Sequence, residues 1–352
     1  MTPELSVIIA TRNRAQQLRD CLEAVARQET RLPASPQKVS GAQAGGAFTY
    51  EVIVADNGST DATRQVVEAL RATYPVELRY LYEGRVGKPW ALNAALRQAR
   101  GQLVAFTDDD ALPAPGWLSA LWVCAQEEAA DGIGGRILPK WAGERPGWMT
   151  DTVAPAFIFG ALGCVDHGPQ RLLSTRERPH YWVGASLAMR REALEDVGGF
   201  DVRMARAQDT ELQGRCLRAG KKVVYEPQAL VYHTIGSERL TADYFRGWWH
   251  RRGYYAALRS PWKLHHLVTV EPLGWYRDVC RLSASWLAAV VRRRPWGERF
   301  LYEVRLRERA SRWLQRAKLL PRMWGALFTD GWRLLGGQMS ALDLQRRAWG
   351  NV

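Results

Sequence analysis

Leu103-Val104-Ala105-Phe106-Thr107-Asp108-Asp109-Asp110 decides how this chain is read. A short apolar run bounded by polar residues predicts a strand buried on both faces. Three consecutive aspartates at its end repel one another unless something offsets their charge. A hard divalent cation does so, and carboxylate oxygens suit Mg²⁺ or Mn²⁺. The plainer alternative is a solvated acidic loop or helix N-cap. A second acidic turn, Asp56-Asn57-Gly58-Ser59-Thr60-Asp61, follows another apolar run and favours the cation.

Outward from this stretch the pattern repeats. Leu5 to Ala10 and Glu51 to Ala55 read as further buried strands, and Glu77 to Leu81 as a third. Between them lie helical patterns, one with Leu18, Leu22 and Val25 on one side, one carrying Val66, Val67 and Leu70, and one over Ala91 to Ala99. Strands alternating with helices predict an α/β fold with a single doubly wound, mostly parallel sheet. Ligands of such sheets bind beyond the carboxyl ends of the strands. Here those ends carry Thr11, Arg12, Asp56 and Asp108 to Asp110. Residues 31–49, rich in Pro, Gly, Ala, Ser and Gln, are expected to be a flexible loop.

Composition divides the 352 residues in two. Residues 1–238 are nearly neutral, whereas residues 239–352 carry a net charge of +14 and ten of the sixteen tryptophans. A domain over 1–238 followed by a basic, helical Trp/Arg-rich tail over 239–352 is the expected organisation. Leu306, Ala310, Trp313, Ala317 and Leu320 recur at helical spacing among arginines, a pattern suited to an anionic membrane surface. A dimer contact or ordinary helical subdomain remains the alternative. The apolar run Trp286 to Val291 is too short to span a bilayer. The N-terminus carries no secretory pattern, and the five cysteines are odd in number and scattered. Reduced thiols in the cytoplasm are expected, with no zinc site or disulfide framework. The tail's charge alone would also fit a nucleic-acid or other anionic-surface binder, but no nucleic-acid module accompanies it, so no nucleic-acid partner is expected.

Five ordered segments then converge: Ser6 to Arg14, Val52 to Asp61, Gly87 to Leu96, Phe106 to Pro113 and Val197 to Gly220. Together they resemble family 2 glycosyltransferases, which have the glycosyltransferase-A fold, over roughly residues 5–235. The resemblance implies an inverting, metal-dependent enzyme. It would move a sugar from a nucleoside-diphosphate sugar, a UDP-sugar above all, to a saccharide or lipid-linked hydroxyl acceptor in polysaccharide or glycolipid assembly. Asp56 is implied to meet the nucleobase edge, with Thr11 and Arg12 beside the nucleotide. Asp108 would face the ribose and Asp110 the metal, Mn²⁺ or Mg²⁺, with Asp109 between them on the donor side. Lys88 falls in a donor-contacting loop or is an ordinary solvated lysine. His233 stands where the family often keeps a histidine near the diphosphate, able to complete the metal shell; the alternative is a structural histidine.

A single displacement also needs a carboxylate to take the acceptor's proton. The family's Glu-Asp pair corresponds here to Gln208-Asp209, so Asp209 is the implied base and the first acid is absent. Glu211 is the fallback base or a helix-surface residue. Trp182, in the segment that lines the acceptor side, either stacks on an acceptor sugar or is a core aromatic. Sugar-nucleotide pyrophosphorylases share a similar sheet, but need a Gly-rich phosphate loop where this chain has Thr11-Arg12-Asn13-Arg14.

Overall fold

The computed structural model describes residues 2–31, 46–149, 159–259 and 271–335. Residues 32–45, most of the expected flexible loop, lie outside them. The strands are β1 (Leu5–Thr11), β2 (Tyr50–Asp56), β3 (Leu78–Tyr82), β4 (Leu103–Asp108), β5 (Ala111–Pro113), β6 (Gly132–Trp141), β7 (Leu172–Ser174), β8 (Leu187–Arg190) and β9 (Val223–Ile235). They form one sheet in the order β3-β2-β1-β4-β8-β6-β9-β5, with β7 also paired to β9.

The first four strands are parallel, as the alternating pattern predicts. Beyond β4 the sheet becomes mixed, because β8 inserts antiparallel between β4 and β6. Strands β1, β2, β3, β4, β6 and β9 run one way, and β5, β7 and β8 the other. The sheet is therefore mostly parallel in direction.

Apolar alternation along the strands feeds two cores. Val7, Ile9, Val52 and Val54 face helices α1 (Ala15–Ala26), α2 (Thr63–Arg71) and α4 (Trp117–Glu127), packing with Leu18, Leu22, Val67 and Leu121. Ile8, Ile53, Val104 and Phe106 point the opposite way. They meet Ala91 and Leu92 of α3 (Lys88–Leu96), Leu194 of α5 (Arg191–Val197) and Leu212 of α6 (Gln208–Arg218). Complete burial of each such aliphatic side chain contributes about 1.5–3 kcal/mol. With both faces covered, the polar strand ends are left at the carboxyl edge.

The chain divides into two compact units. The first comprises Met1–Glu144 and Leu162–Gly236 and contains the whole sheet. The second comprises Arg145–Ala161 and Ser237–Val352. Residues 145–149 and 159–161, expected within the catalytic domain, thus group with the described tail helices. The reason is an aromatic cluster in which Trp148 meets Phe245, Trp296 and Phe300 edge-on at 5.3–5.4 Å. The tail is helical, with α7 (Ala242–Arg259), α8 (Glu271–Val291) and α9 (Trp296–Leu335). Among the described residues, no helix is long and apolar enough to cross a membrane.

Candidate active site

Parallel register brings the first acidic groups together. Thr11 lies beside Asp56, and Ala10 beside Asp108, at the carboxyl ends of adjacent strands. After Asp108 the chain turns into β5, which pairs antiparallel with β9 so that Ala111 stands opposite His233. That pairing carries His233 to Asp110 across 123 residues of sequence, with Nε2 3.0 Å from Oδ1.

The three aspartates have three different surroundings. Asp108 Oδ1 accepts a hydrogen bond from Lys88 Nζ at 2.5 Å. Burial alone would depress the Lys88 ammonium, but Asp108 and then Asp209 hold its pKa above the ordinary value. Asp109 was expected on the donor side, yet it is turned inward and buried. One of its oxygens accepts from Thr11 Oγ1 at 2.8 Å and the other from the Arg14 guanidinium at 2.9 Å. Burial pushes its carboxyl up to about 6, with Arg14 opposing the shift and the neighbouring Asp110 charge adding to it. Asp109 ties the β1 loop to the end of β4, with the buried Thr11 hydroxyl as one of the donors.

Asp110 accepts from Arg14 on Oδ2 at 2.9 Å. His233 Nδ1 lies 2.8 Å from the Leu162 carbonyl, which can only accept, so Nδ1 carries a proton. Nε2 therefore faces Asp110 either protonated or as a lone pair suited to a shared cation. The carboxylate is a donor that suits Mn²⁺ and Mg²⁺ alike, whereas the imidazole suits Mn²⁺, the softer of the two, better than the oxygen-seeking Mg²⁺. Among the described residues no group of three or more His, Cys, Asp or Glu side chains gathers for a metal. A shell begun by this pair would be completed by substrate phosphates and water, as such ions commonly are.

Asp209 sits in the first turn of α6, where the positive end of the helix dipole favours a carboxylate. Its Oδ2 accepts from Gly184 N at 3.0 Å, and Oδ1 from Thr210 N at 2.7 Å. Gly184 is the meeting point: a methyl there would lie 3.8 Å from Asp108 Oδ1 and 3.9 Å from both Asp209 Oδ2 and Lys88 Nζ. The fold thus gathers Lys88, Asp108 and Asp209 around a residue without a side chain.

The other expected site residues fall less simply. Glu211 is held by Arg215 at 2.8–2.9 Å, and that arginine also donates to the Val197 and Gly199 carbonyls. The fallback carboxylate is locked in an ion pair within its own helix. Trp182 is about 1% exposed, so it cannot stack on an acceptor. It is a core aromatic lying against β6, and its Nε1 donates to the Asp209 carbonyl at 2.7 Å. Asp56 is buried, with Oδ1 accepting from Ser59 N at 2.8 Å and Oδ2 from the Tyr80 hydroxyl at 2.6 Å. Arg12 is exposed beside it in the β1 loop.

Sequence reasoning passed over Arg14, Asn57 and Tyr80. Arg14 stands where α1 begins, and its position three residues after Thr11 was the available signal. Asn57 accepts from Gly87 N at 2.8 Å and donates to the Arg85 carbonyl at 2.7 Å, shaping the loop that ends in Lys88. Gly87 adopts a φ of 134°, open to glycine, immediately before Lys88 starts α3.

Comparison with known proteins bears on the same residues. The family described as Glycosyl transferase family 2 matches residues 6–198, and Glycosyl transferase family group 2 matches residues 103–328. A glucosyl-dolichyl phosphate glucuronosyltransferase of Haloferax volcanii is 28% identical over 224 residues, covering 59% of this chain and 67% of the relative. A pre-mycofactocin glycosyltransferase of Mycobacterium tuberculosis is 29% identical over 187 residues, covering 53% of this chain but only 37% of its own length. Among solved structures, a mannosyltransferase from Pyrobaculum calidifontis in complex with GDP-Man and Mn²⁺ aligns with a TM-score of 0.50. The alignment has 20% identity and covers 100% of this chain and 89% of the other, a likeness of fold.

Proposed function

Because the chain belongs to glycosyl transferase family 2, we propose that it is an inverting, metal-dependent glycosyltransferase acting on a nucleoside-diphosphate sugar, a UDP-sugar foremost. The observation that carries this reading is the gathering of Lys88, Asp108 and Asp209 around Gly184, with Asp110 and His233 in the adjoining turn. Two distinct electrostatic tasks lie within one edge of the sheet. One side offers an imidazole, a carboxylate and an ammonium to a diphosphate and its counter-ion. The other offers a helix-terminal carboxylate to an incoming hydroxyl.

In this mechanism Asp209 accepts the proton of the acceptor hydroxyl as its oxygen attacks the anomeric carbon. Attack comes from the face opposite the diphosphate, so the C1–O bond to the leaving group breaks and the configuration inverts. Asp110 and His233 would hold Mn²⁺ or Mg²⁺, which supplies Lewis-acid relief of the charge on the leaving diphosphate. Lys88 holds Asp108 toward the donor and places its own positive charge beside the departing phosphate. Asp56 and Arg12, at neighbouring strand ends, take the nucleotide. Nucleobase contact with Asp56 then requires the Tyr80 hydroxyl to share or yield its oxygen.

Calorimetry with UDP and Mn²⁺ tests the donor half of the site. Asp110→Asn should erase Mn²⁺-dependent UDP binding and nearly abolish turnover. Unchanged Mn²⁺-supported binding would remove Asp110 from the metal site. A pyrophosphorylase reading is disfavoured by the β1 loop. Of its four residues, Thr11, Asn13 and Arg14 are occupied by contacts to Asp109, Ser59, Thr60 and Asp110, and no glycine among them leaves room for a phosphate cradle.

A second reading concerns the tail. Tyr276, Trp286, Leu287 and Val291 of α8 and Trp313 and Leu314 of α9 are exposed apolar side chains. Exposed Arg277, Arg281, Arg292, Arg293, Arg305 and Arg307 lie on the same helices and their connection. Of the expected stripe, Leu306 is half-buried and Ala310 and Trp313 are exposed, while the side chains of Ala317 and Leu320 lie outside the described residues. The contrary face, with Phe300, Val304 and Ser311, is buried. Apolar groups rimmed by arginine suit an anionic bilayer, each engaged cation adding about 1 kcal/mol. The tail would seat a cytoplasmic enzyme on the inner face of the cell membrane, where a lipid-linked acceptor resides. Flotation with acidic vesicles should show binding that weakens as salt rises. No binding even at low salt would assign these faces to another subunit.

A further inference from the structure

Trp182 has no part in the mechanism above, yet its surroundings are unusually constrained. The indole lies flat on β6 because Gly132 and Gly134 leave room for it. A methyl at Gly132 would come within 2.6 Å of Trp182 Cζ3, and one at Gly134 within 2.6 Å of Trp182 Cβ. Two successive inward positions of one strand are thus without side chains, and the vacated space holds this ring. The indole N–H then reaches the Asp209 carbonyl at 2.7 Å.

Two neighbouring bonds tie the same strap to the same helix. Gln213 Nε2 donates to the His180 carbonyl at 2.7 Å, and Gly184 N donates to Asp209 Oδ2 at 3.0 Å. The start of α6 needs such restraint. Ala207, the residue just before it, sits at a φ of 57°, a left-handed conformation that costs a non-glycine residue about 1–2 kcal/mol. Of the three ties, only the one from Trp182 fixes the backbone of Asp209 itself. The Gly184 bond uses the carboxylate, which must also be available to a proton, so it cannot serve as the sole anchor during reaction.

We infer that Trp182 is a positioning residue for the transfer reaction, its indole N–H setting the main chain of Asp209 so that the carboxylate stays aimed past Gly184 toward the acceptor. The inference rests on the reading of Asp209 as the base. Trp182→Phe keeps an aromatic ring against Gly132 and Gly134 and deletes the donor. The Asp209 carbonyl then loses its one tie from outside the helix, leaving the start of α6 held by the Gln213 bond and by the carboxylate itself, and a displacement approaching 1 Å at a reacting group can cost about 10²-fold.

The test measures Mn²⁺-supported hydrolysis of the UDP-sugar that the full-length protein turns over fastest, with water as acceptor. UDP affinity is measured by calorimetry alongside. Trp182→Phe should lower kcat about tenfold or more, leaving donor KM and UDP affinity within about twofold of wild type. Trp182→His fills the space less well but restores a ring N–H, and should keep more kcat than Trp182→Phe despite lower thermal stability. A kcat for Trp182→Phe within twofold of wild type overturns the inference. So does a parallel loss of UDP affinity, or kcat values that merely follow stability across the two variants. Should Trp182→Phe fail to fold, Trp182→His decides: normal kcat supports the inference, and loss of kcat together with UDP affinity overturns it. Asp209→Asn run beside them separates the two claims. If that variant hydrolyses donor normally, the base assignment fails and the positioning role with it. If it is inactive while Trp182→Phe is unimpaired, only the positioning role fails.

Discussion

Replacing Asp209 by asparagine removes a proton acceptor, but the structure makes the exchange less neutral than its shape suggests. Both carboxylate oxygens accept backbone N–H groups, Oδ2 from Gly184 and Oδ1 from Thr210. An asparagine can present only one oxygen. Whichever way the amide is turned, its NH₂ group faces an N–H donor. One half-buried hydrogen bond is lost and a donor is left against a donor, which costs about 1–3 kcal/mol of stability. The chemical loss is separate and larger. Removing a positioned general base lowers the rate by about 10²–10⁴-fold, or roughly 3–5 kcal/mol in the barrier. Asp209→Asn should therefore show a modestly lower melting temperature, UDP–Mn²⁺ affinity close to wild type, and kcat reduced by at least two orders of magnitude. Stopped assays of nucleoside-diphosphate release, with calorimetry of UDP binding on the same preparations, separate these quantities. Transfer near the wild-type rate would refute the assignment. Glu211→Gln is the companion variant. Its carboxylate is engaged by Arg215, so it should lose stability before it loses chemistry. Inactive Glu211→Gln beside active Asp209→Asn would reverse the two roles.

Two predictions concern stability against pH. The Asp109 carboxyl is raised from 3.8 to about 6 by burial, so the folded protein binds its proton more tightly than the unfolded chain does. That contribution is complete below about pH 4 and is lost as pH rises through about 6, a change of about 3 kcal/mol. In metal-free protein with chelator, Asp109→Asn should gain about that much on wild type between pH 4 and 6.5 in denaturant titrations; a constant gap would refute the shift. Glu51 has the opposite sign. Burial alone would raise its pKa, but Arg100, Ser6 and Arg79 hold it below the ordinary value, so its contribution is present at neutral pH and fades as pH falls below about 4.5. Glu51→Gln should cost about 3 kcal/mol at pH 7, with the difference narrowing toward pH 4 in the same titrations.

The parallel half of the fold was legible because its information is local. The apolar runs at Leu5, Val52 and Leu103 alternate between two buried faces, and the intervening helical patterns place Leu18, Val67 and Ala91 on the matching sides. The acidic strand ends were visible for the same reason, since Asp56 and Asp108 directly follow apolar runs that have to stop.

What the sequence by itself determined, then, was the element order through β4, the sheet class and most of the chemically able residues. Tertiary structure alone decided which of them meet. The β5–β9 register sets His233 against Asp110, and no local period connects residues 123 positions apart. The turn after β4 buries Asp109 under Thr11 and Arg14, although three identical aspartates look alike in sequence. Trp182, open in sequence to either an acceptor platform or a core aromatic, is the core aromatic because two glycines on a different strand made room for it. The segment around Trp148 joined the helical unit because Trp148 found partners about a hundred residues and more further along. Hydrophobic periodicity specifies faces, whereas the pairing of faces and charges is fixed only when strand register and side-chain volume are satisfied together.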